Sequence, residues 1–235
     1  MPDGGTVIRY SSSLISDIVA WDVSTWKSAI FLWDRLFPEM TGKEVLDIGA
    51  RDGGLSLYFA LKGCNVVCSD IHSPNETALR LHRDYCVSDR ISYKIIDATA
   101  TGLSDNYFDF VCMKSVMPSI GYGGRANQQK AMREIHRVLK PGGSLLFAEN
   151  LAATRFHMYF RSRFTNWGDK VRYLHLAELP ELLSDFHALR FTTHGFLAVF
   201  GRSEMQRSIL HMFDRITQPL ISDRAKYLVV GCATK

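Results

Sequence analysis

Short apolar runs alternate with stretches of helical periodicity along most of the chain. This alternation is typical of a parallel sheet covered by helices on both faces. The predicted strands of the core are residues 44–48, 65–69, 92–96, 108–113 and 144–148. The predicted helices between them are residues 55–63, 75–85 and 126–139. The pattern therefore predicts an α/β fold with a doubly wound, mostly parallel sheet, whose ligand binds at the carboxyl ends of the strands.

The segments on either side of this core have less regular patterns. Residues 14–37 have helical periodicity and contain three tryptophans, which predicts a helical cap across the sheet edge. An amphipathic helix is predicted at residues 201–214, with packing as its role and formation of a homodimer as the alternative. The chain is predicted to be one domain with four parts, in chain order a helical cap at 1–40, a ligand-binding core at 41–150, an acceptor-side lid at 151–188, and C-terminal strands with the inserted helix at 189–235.

Composition and charge argue against several classes of protein. Hydrophobic residues make up 46% of the chain and charged residues 22%, which is ordinary for a globular domain. No apolar run reaches the ~18 residues of a transmembrane helix, and the first residues lack the pattern of a secretory signal, so we expect a cytoplasmic protein without a membrane span. The net charge of +4 is mild, which argues against nucleic acid as the partner. The five cysteines lack the spacing of metal ligands, so no metal site is predicted.

A glycine-rich turn follows the first predicted strand. Gly49 and Gly53 allow a ligand to approach the backbone, and the next helix presents free N–H groups there. A dinucleotide site requires glycine where Arg51 stands. The carboxylate of Asp47 would repel a pyrophosphate but attract an ammonium or a sulfonium group. The turn therefore points to a cofactor with cationic groups and no phosphate.

Acidic residues also follow the next two predicted strands. Asp70 ends the second strand, where a carboxylate can accept hydrogen bonds from both ribose hydroxyls. Asp97 and Ala98 follow the third strand, where a carboxylate or a backbone N–H can bind adenine. Each acid taken alone could instead cap a turn or a helix. Their combination with the glycine-rich turn favours a nucleoside site.

Together these motifs resemble those of the class I S-adenosylmethionine-dependent methyltransferases. The resemblance covers about residues 44–149 and rests on DIGARDG at 47–53, aspartate at 70, IDA at 96–98, FDFV at 108–111 and VLKPGG at 138–143. It implies the Rossmann-like fold of that family, with S-adenosylmethionine as the cofactor. The cofactor-binding residues that it implies are Asp47, Gly49, Arg51, Gly53, Asp70, Ile71, Asp97, Ala98, Lys114 and Ser115. Arg51 and Asp52 depart from the small residues that are commoner in this turn.

The methyl acceptor is expected to meet residues that follow strands four and five. A methyl transfer mainly requires alignment of the acceptor and removal of a proton. We predict His157 as the general base and Glu149 as the second choice, because both follow strand five and the histidine pKa of about 6.5 suits proton abstraction. His175 and His194 are held in reserve. The N/D-P-P-Y/F pattern of enzymes that methylate amino groups of nucleobases does not follow strand four.

Residues 155–172 interleave basic and aromatic side chains at a place where this family commonly inserts acceptor-binding structure. One interpretation is a lid that binds an anionic acceptor, such as a phosphorylated or nucleotide-linked sugar. The other is an amphipathic helix with a solvated basic face. The leading hypothesis is in-line methyl transfer to oxygen of a small-molecule or glycan acceptor, in polysaccharide or secondary-metabolite biosynthesis. The alternatives are an RNA methyltransferase that binds RNA through this segment and a non-catalytic protein that binds S-adenosylmethionine.

Overall fold

A computed structural model describes residues 8–165 and 171–235, which form a seven-stranded sheet and nine α-helices. The strands are β1 (Glu44–Ile48), β2 (Asn65–Asp70), β3 (Ile91–Ile95), β4 (Phe108–Lys114), β5 (Leu139–Asn150), β6 (His187–His194) and β7 (Leu228–Thr234). The helices are α1 (Ser12–Val19), α2 (Val23–Leu36), α3 (Gly54–Leu61), α4 (Glu76–Asp84), α5 (Met117–Ile120), α6 (Arg125–Val138), α7 (Arg155–Phe164), α8 (Leu179–Leu182) and α9 (Glu204–Thr217). The core strands lie within a residue or two of the predicted ones, except that β5 begins five residues earlier, at Leu139.

The order of the strands in the sheet is β3-β2-β1-β4-β5-β7-β6. Strands β1 to β5 pair in parallel, and β7 pairs antiparallel with both β5 and β6. The strand order reverses between β1 and β4, so the carboxyl ends of these two strands flank the crevice where open α/β sheets bind ligands. The predicted α/β class with a doubly wound, mostly parallel sheet is confirmed.

Alternate residues of the central strands pack against opposite faces of the sheet. In β1, Val45 joins the core with α1, α2 and α3, whereas Leu46 joins the core with α6 and α8. In β5, Leu146 and Leu145 divide between the same two faces. Successive side chains of a strand point in opposite directions, so a strand covered on both faces is a continuous apolar run in the sequence. This burial on both faces explains why the apolar pattern identified the strands.

The segment with helical periodicity, residues 14–37, lies mostly within the two helices α1 and α2. The helical conformation is interrupted between α1 and α2, where Ala20 and Asp22 have φ values of 73° and 46°. The carboxylate of Glu204 accepts hydrogen bonds from the backbone N–H groups of Asp22 and Val23, at 2.8 and 3.1 Å. A carboxylate on the first N–H groups of a helix stabilises its start. A residue far away in the sequence therefore stabilises the interruption between α1 and α2.

A short extended segment separates β5 from α7. Leu151 forms a parallel bridge with Leu174, and α7 starts at Arg155 because Thr154 caps it by accepting from the His157 N–H. The sequence between β5 and α7 is thus extended rather than helical. None of the helices in residues 8–165 and 171–235 has the length and apolar character that a membrane crossing requires.

Candidate active site

The turn between β1 and α3 lies at the carboxyl edge of the sheet. Gly49 and Gly53 have φ values of 68° and 80°, a backbone conformation that glycine adopts most readily. A Cβ atom on Gly49 would lie 2.6 Å from Cγ2 of Val116, so only glycine lets the loop after β4 pack this closely. Arg51 also has a positive φ, 48°, and its side chain is exposed. The turn is therefore shaped by its backbone and by the neighbouring loop.

Asp47 is buried beneath this turn. Its Oδ2 accepts a hydrogen bond from the Ser56 hydroxyl at 2.7 Å, which ties β1 to α3. Burial raises the pKa of Asp47 to about 7, while its hydrogen bonds and the positive charge of Lys114 oppose that rise. The side chain is only 1% exposed. Asp47 therefore connects β1 to α3 beneath the turn, and its side chain offers almost no surface to a ligand.

Lys114 is the last residue of β4, and its side chain extends beneath the cap. The Nζ atom donates a hydrogen bond to the Val19 carbonyl at 3.0 Å and lies 5.3 Å from the centroid of the Trp26 ring. Burial lowers the pKa of Lys114 to about 8, and the attraction of Asp47 opposes that change. The Trp26 indole is 1% exposed, and its Nε1 has no hydrogen-bond partner among the described residues. Trp26 thus belongs to the buried core of the cap, directly against the Lys114 side chain.

Asp70 is the last residue of β2, and its carboxylate can accept more hydrogen bonds than the protein itself donates. Its Oδ2 accepts the Arg51 backbone N–H at 3.1 Å, and its Oδ1 accepts the His72 N–H at 3.4 Å. A carboxylate has about four acceptor positions, so each oxygen can also accept a hydroxyl proton. The neighbouring Ile71 side chain is 62% exposed. An apolar surface therefore lies directly beside the carboxylate.

Asp97 and Ala98 follow β3 at the same edge. Asp70 pairs with Ile95 in the sheet, so Asp97 lies just beyond that pair. The exposed Asp97 carboxylate accepts hydrogen bonds from the N–H and hydroxyl of Thr99, both at 2.8 Å, and Ala98 is buried. Two carboxylates that follow neighbouring strands, with an exposed apolar side chain next to one of them, suit the donors and the flat ring of an adenosine. The residues present at this edge thus fit the nucleoside part of the expected cofactor.

His82 fixes the glycine-rich turn, although no sequence motif singled it out. Its buried ring places Nε2 2.9 Å from the Gly53 carbonyl and Nδ1 2.7 Å from the Tyr93 hydroxyl. Because a carbonyl only accepts, Nε2 carries the proton and Nδ1 accepts from the tyrosine. Burial lowers the pKa of His82. The ring is therefore neutral, and it joins residues that are distant in the sequence.

We expect the neutral His82 to make the fold sensitive to acid. A histidine whose folded pKa lies below its unfolded value, about 6.5, stabilises the fold above that pH and loses this contribution as the pH falls towards the folded pKa. A difference of one between the folded and the unfolded pKa corresponds to about 1.4 kcal/mol in the free energy of unfolding. Urea unfolding at about pH 7.5 and about pH 5.5 tests this against His82→Gln, whose amide can donate to Gly53 without titrating. The wild type should lose more free energy of unfolding than the variant, and equal losses would contradict the assignment.

Glu149 anchors the loop that follows β4. Its two carboxylate oxygens accept the backbone N–H groups of Val116 and Met117, at 3.0 and 3.2 Å, and burial raises the pKa of Glu149 to about 8. In the same loop Ser115 has a φ of 59°, and its hydroxyl accepts a hydrogen bond from the Asn150 amide at 2.7 Å. Both contacts connect the ends of β4 and β5. Glu149 therefore holds the loop after β4 in place from its buried position in β5.

His157 lies in an aromatic cluster rather than at an open surface. Its Nε2 donates to the Phe196 carbonyl at 2.8 Å, so Nδ1 accepts from the Thr154 hydroxyl at 2.7 Å. The ring centroid lies 4.9 Å from that of Phe196 and 4.8 Å from that of Phe200. Burial lowers the pKa of His157. Both ring nitrogens are occupied in this conformation, and the role of His157 as a base stays a prediction.

The two reserve histidines have other surroundings. His175 is exposed, and its backbone N–H donates to Glu178 at 2.9 Å. His194 ends β6, where burial lowers its pKa to about 4 and its Nε2 lies 2.8 Å from the Thr192 hydroxyl. A pKa so far below neutral leaves His194 a weak base.

The basic segment of residues 155–172 uses two of its cations inside the protein. Arg161, 4% exposed, donates to the Leu151 carbonyl at 2.6 Å and lies 4.3 Å from the ring of Tyr173. Arg172 donates to Gln128 at 2.7 Å and pairs with Glu178. Two further residues of this segment, Trp167 and Lys170, lie outside the described residues. Fewer cations therefore remain for an anionic acceptor or for RNA than the sequence alone suggested.

Comparison with known proteins identifies the family. A family profile described as a methyltransferase domain matches residues 46–147. The chain is 32% identical over 181 residues to the ubiquinone/menaquinone biosynthesis C-methyltransferase UbiE of Hydrogenovibrio crunogenus, and the match covers 68% of each protein. The chain belongs to the class I S-adenosylmethionine-dependent methyltransferases. The methyltransferase uses S-adenosylmethionine as its cofactor, as the motifs at the edge of its sheet implied.

Other similar proteins are longer, and this chain matches only part of each. UbiE of Yersinia enterocolitica is 33% identical over 147 residues, which are 58% of this methyltransferase and 53% of that protein. The structure of phosphoethanolamine N-methyltransferase 2 of Haemonchus contortus with S-adenosyl-L-methionine has a TM-score of 0.63 at 20% identity, covering 96% of this chain and 57% of that one. That likeness concerns the fold. The methyltransferase spans about half the length of these two proteins.

Proposed function

We propose that the protein transfers a methyl group to a ring carbon of a small aromatic acceptor of the hydroquinone class. The observation that carries this proposal is the 32% identity, over 68% of each chain, to an enzyme named as a C-methyltransferase of ubiquinone and menaquinone biosynthesis. This proposal keeps the small-molecule acceptor that the sequence predicted. For the atom that is methylated, the relatives favour carbon over oxygen, and for the kind of acceptor they favour a quinone over a glycan.

The side chains near the end of β5 support an aromatic acceptor. The cluster of His157, Phe196 and Phe200 is aromatic, and Tyr227 lies against His157 with the ring centroids 6.3 Å apart. Tyr227 precedes β7, whose first residue pairs with the last residue of β5, so the cluster lies at the carboxyl edge. Arg161, a buried cation near this cluster, is held by internal contacts. This environment suits a flat, weakly charged ring better than a sugar phosphate.

We assign the cofactor to the carboxyl ends of β1, β2 and β3. Asp70 accepts hydrogen bonds from the ribose hydroxyls, Asp97 with Ala98 binds the adenine amino edge, and the exposed Ile71 packs on the adenine ring. The turn at Gly49 and Gly53, with Arg51, holds the methionine part. The cofactor supplies a methyl group on a sulfonium, which makes the methyl carbon electrophilic.

Methylation of a hydroquinone carbon requires a base, and we assign that role to Lys114. The ring carbon bonds to the methyl carbon as the methyl–sulfur bond breaks, and the proton lost by the acceptor must pass to the protein. Lys114 ends β4, is partly exposed, and has a pKa lowered by burial to about 8, so a fraction of its amine is neutral near pH 7. Both nitrogen atoms of His157 are already hydrogen-bonded in this conformation, and Glu149 is only 1% exposed. The neutral amine of Lys114 keeps a free lone pair while it donates to the Val19 carbonyl. Lys114 is therefore the better placed base.

The acceptor class can be tested with carbon-13 methyl-labelled S-adenosylmethionine. The protein would be incubated separately with a reduced naphthoquinone, an alkylated benzohydroquinone, a catechol and a nucleotide sugar. The NMR shift of the label distinguishes a methyl group on carbon from one on oxygen. Labelling of a hydroquinone ring carbon is expected. Labelling confined to a hydroxyl oxygen, or to the nucleotide sugar, would overturn the proposal and return the acceptor to the glycan class.

A further inference from the structure

Helix α9 turns its polar side toward the protein. Glu204 binds the backbone at the break between α1 and α2, and His211 Nδ1 lies 3.2 Å from the Thr25 hydroxyl. Asp214, 2% exposed, accepts the N–H groups of residues 196, 197 and 198 at 3.0, 2.7 and 3.1 Å. A surface helix of a soluble domain normally points its apolar side inward and its charges outward. The orientation of α9 is the reverse.

The outward side of α9 carries a continuous apolar stripe. Its members recur at helical spacing and are all at least 49% exposed: Met205, Ile209, Met212, Phe213, Ile216 and Leu220. The sequence correctly predicted an amphipathic helix close to this position. The helix does pack on the domain as predicted, but it does so mainly through its polar side, and the described residues leave most of its apolar side uncovered.

Helix α7 extends this apolar surface. Phe156, Tyr159 and Phe164 are each more than half exposed. The Phe156 ring lies 5.1 Å from that of Phe200, shortly before α9, and the Arg202 guanidinium lies 5.6 Å from the Phe164 ring. The exposed aromatics therefore adjoin the start of α9. We name the stripe and these three aromatics the α7–α9 surface.

The charges around this surface are mostly positive. Five exposed arginines come from α7, α9 and the segments on either side of α9, namely Arg155, Arg163, Arg202, Arg215 and Arg224. Within residues 8–165 and 171–235, none of the five forms an ion pair. Both carboxylates of α9 point inward, and the exposed Asp223 is paired with Lys226 at 2.8 Å. An apolar centre is thus combined with a cationic surround.

We propose that the α7–α9 surface docks on an anionic phospholipid bilayer. A helix that lies in the plane of a membrane buries its apolar side at the boundary of headgroups and acyl chains, while arginines bind the anionic headgroups. A second copy of the chain fits less well, because a two-fold contact would bring the same arginines against one another. This inference goes beyond the proposed function and does not depend on which acceptor is methylated.

Co-sedimentation of the full-length protein with lipid vesicles tests the proposal. Vesicles of phosphatidylcholine alone would be compared with vesicles that contain about one third phosphatidylglycerol, at about 0.1 M and about 0.5 M salt. We expect binding to the anionic vesicles that weakens at high salt. The triple substitution Ile209→Ser, Met212→Ser and Ile216→Ser should lower the bound fraction about tenfold or more. The double substitution Arg215→Glu and Arg224→Glu should abolish the preference for anionic lipid.

The control substitution is Tyr122→Ser, which removes an equally exposed aromatic side chain from a different part of the protein. It should leave vesicle binding unchanged. All variants should bind S-adenosylhomocysteine like the wild type, which shows that they are folded and that the cofactor site is separate. Light scattering is the second measurement. Failure to bind anionic vesicles at low salt, or a dimer that the triple substitution dissociates, would overturn the proposal and assign the surface to a second copy of the chain.

Discussion

Asp70→Asn is expected to weaken the binding of S-adenosylmethionine and S-adenosylhomocysteine by about tenfold to hundredfold. The substitution keeps one acceptor oxygen but removes the charge and the second oxygen. Hydrogen bonds to charged groups contribute about 1.5–3 kcal/mol each, and about 1.4 kcal/mol corresponds to a factor of ten. The backbone N–H groups of Arg51 and His72 occupy only one acceptor position on each oxygen, so the carboxylate can accept two further hydrogen bonds. Calorimetric titration with both ligands measures the loss.

A matched substitution separates the loss of the ribose contact from a general effect of charge. Asp89 is an exposed aspartate in the turn before β3, at the opposite edge of the sheet. Asp89→Asn changes the net charge equally and should leave the affinity for both ligands unchanged. Thermal unfolding should place both variants close to the wild type. If Asp70→Asn binds S-adenosylhomocysteine as tightly as the wild type, the assignment of the ribose to Asp70 is wrong.

The sequence predicted the central sheet well because local pattern and long-range packing agree there. The run VLDI is apolar at Val45, Leu46 and Ile48, and the structure buries all three side chains on the two faces of the sheet. Glycines with positive φ also leave a visible mark, as at Gly49 and Gly53. The positions of strands and turns follow from such short-range features, so the edge to which we assign the cofactor could be located from the sequence.

The contacts that shape the site could not be predicted in the same way. His82 meets Gly53 and Tyr93 only after α4 has packed on the sheet, and the sequence around it resembles an ordinary amphipathic helix. Tyr227 donates to Asp22, 205 residues away, to close a buried network behind the cap. Polar contacts of this kind are decided by the assembled fold.

The orientation of helix α9 likewise could not be predicted from the sequence. Periodicity predicts that the helix has an apolar side and a polar side, but it does not say which side meets the protein. Glu204 and Asp214 accept hydrogen bonds from backbone N–H groups at the start of α2 and at residues 196 and 197. These N–H groups have no partner within a helix or strand. Those groups draw the carboxylates inward, because an unsatisfied N–H group is costly when buried. The apolar side is therefore turned outward, which the pattern alone could not reveal.

Lys114→Arg and Lys114→Met are both expected to lower kcat for methylation of a hydroquinone by about a hundredfold to ten thousandfold. Arginine keeps the positive charge but cannot act as a base, because its pKa is too high. Methionine keeps the length of the side chain without a charge. In the wild type a base works only when neutral, so kcat should rise with pH and level off above about 8, the pKa to which burial lowers Lys114. Both variants should lose this rise.

The two substitutions also distinguish a base from a residue that only binds the cofactor. If Lys114 held the methionine carboxylate instead, Lys114→Met would weaken binding of S-adenosylhomocysteine, and Lys114→Arg would restore both affinity and rate. With Lys114 as the base, both variants retain the affinity and neither retains the rate. Lys43→Met, at an exposed lysine before β1, is the control and should behave like the wild type. His157→Asn and Glu149→Gln complete the series, since a flattened pH profile in either, with Lys114→Arg active, would move the base to that residue.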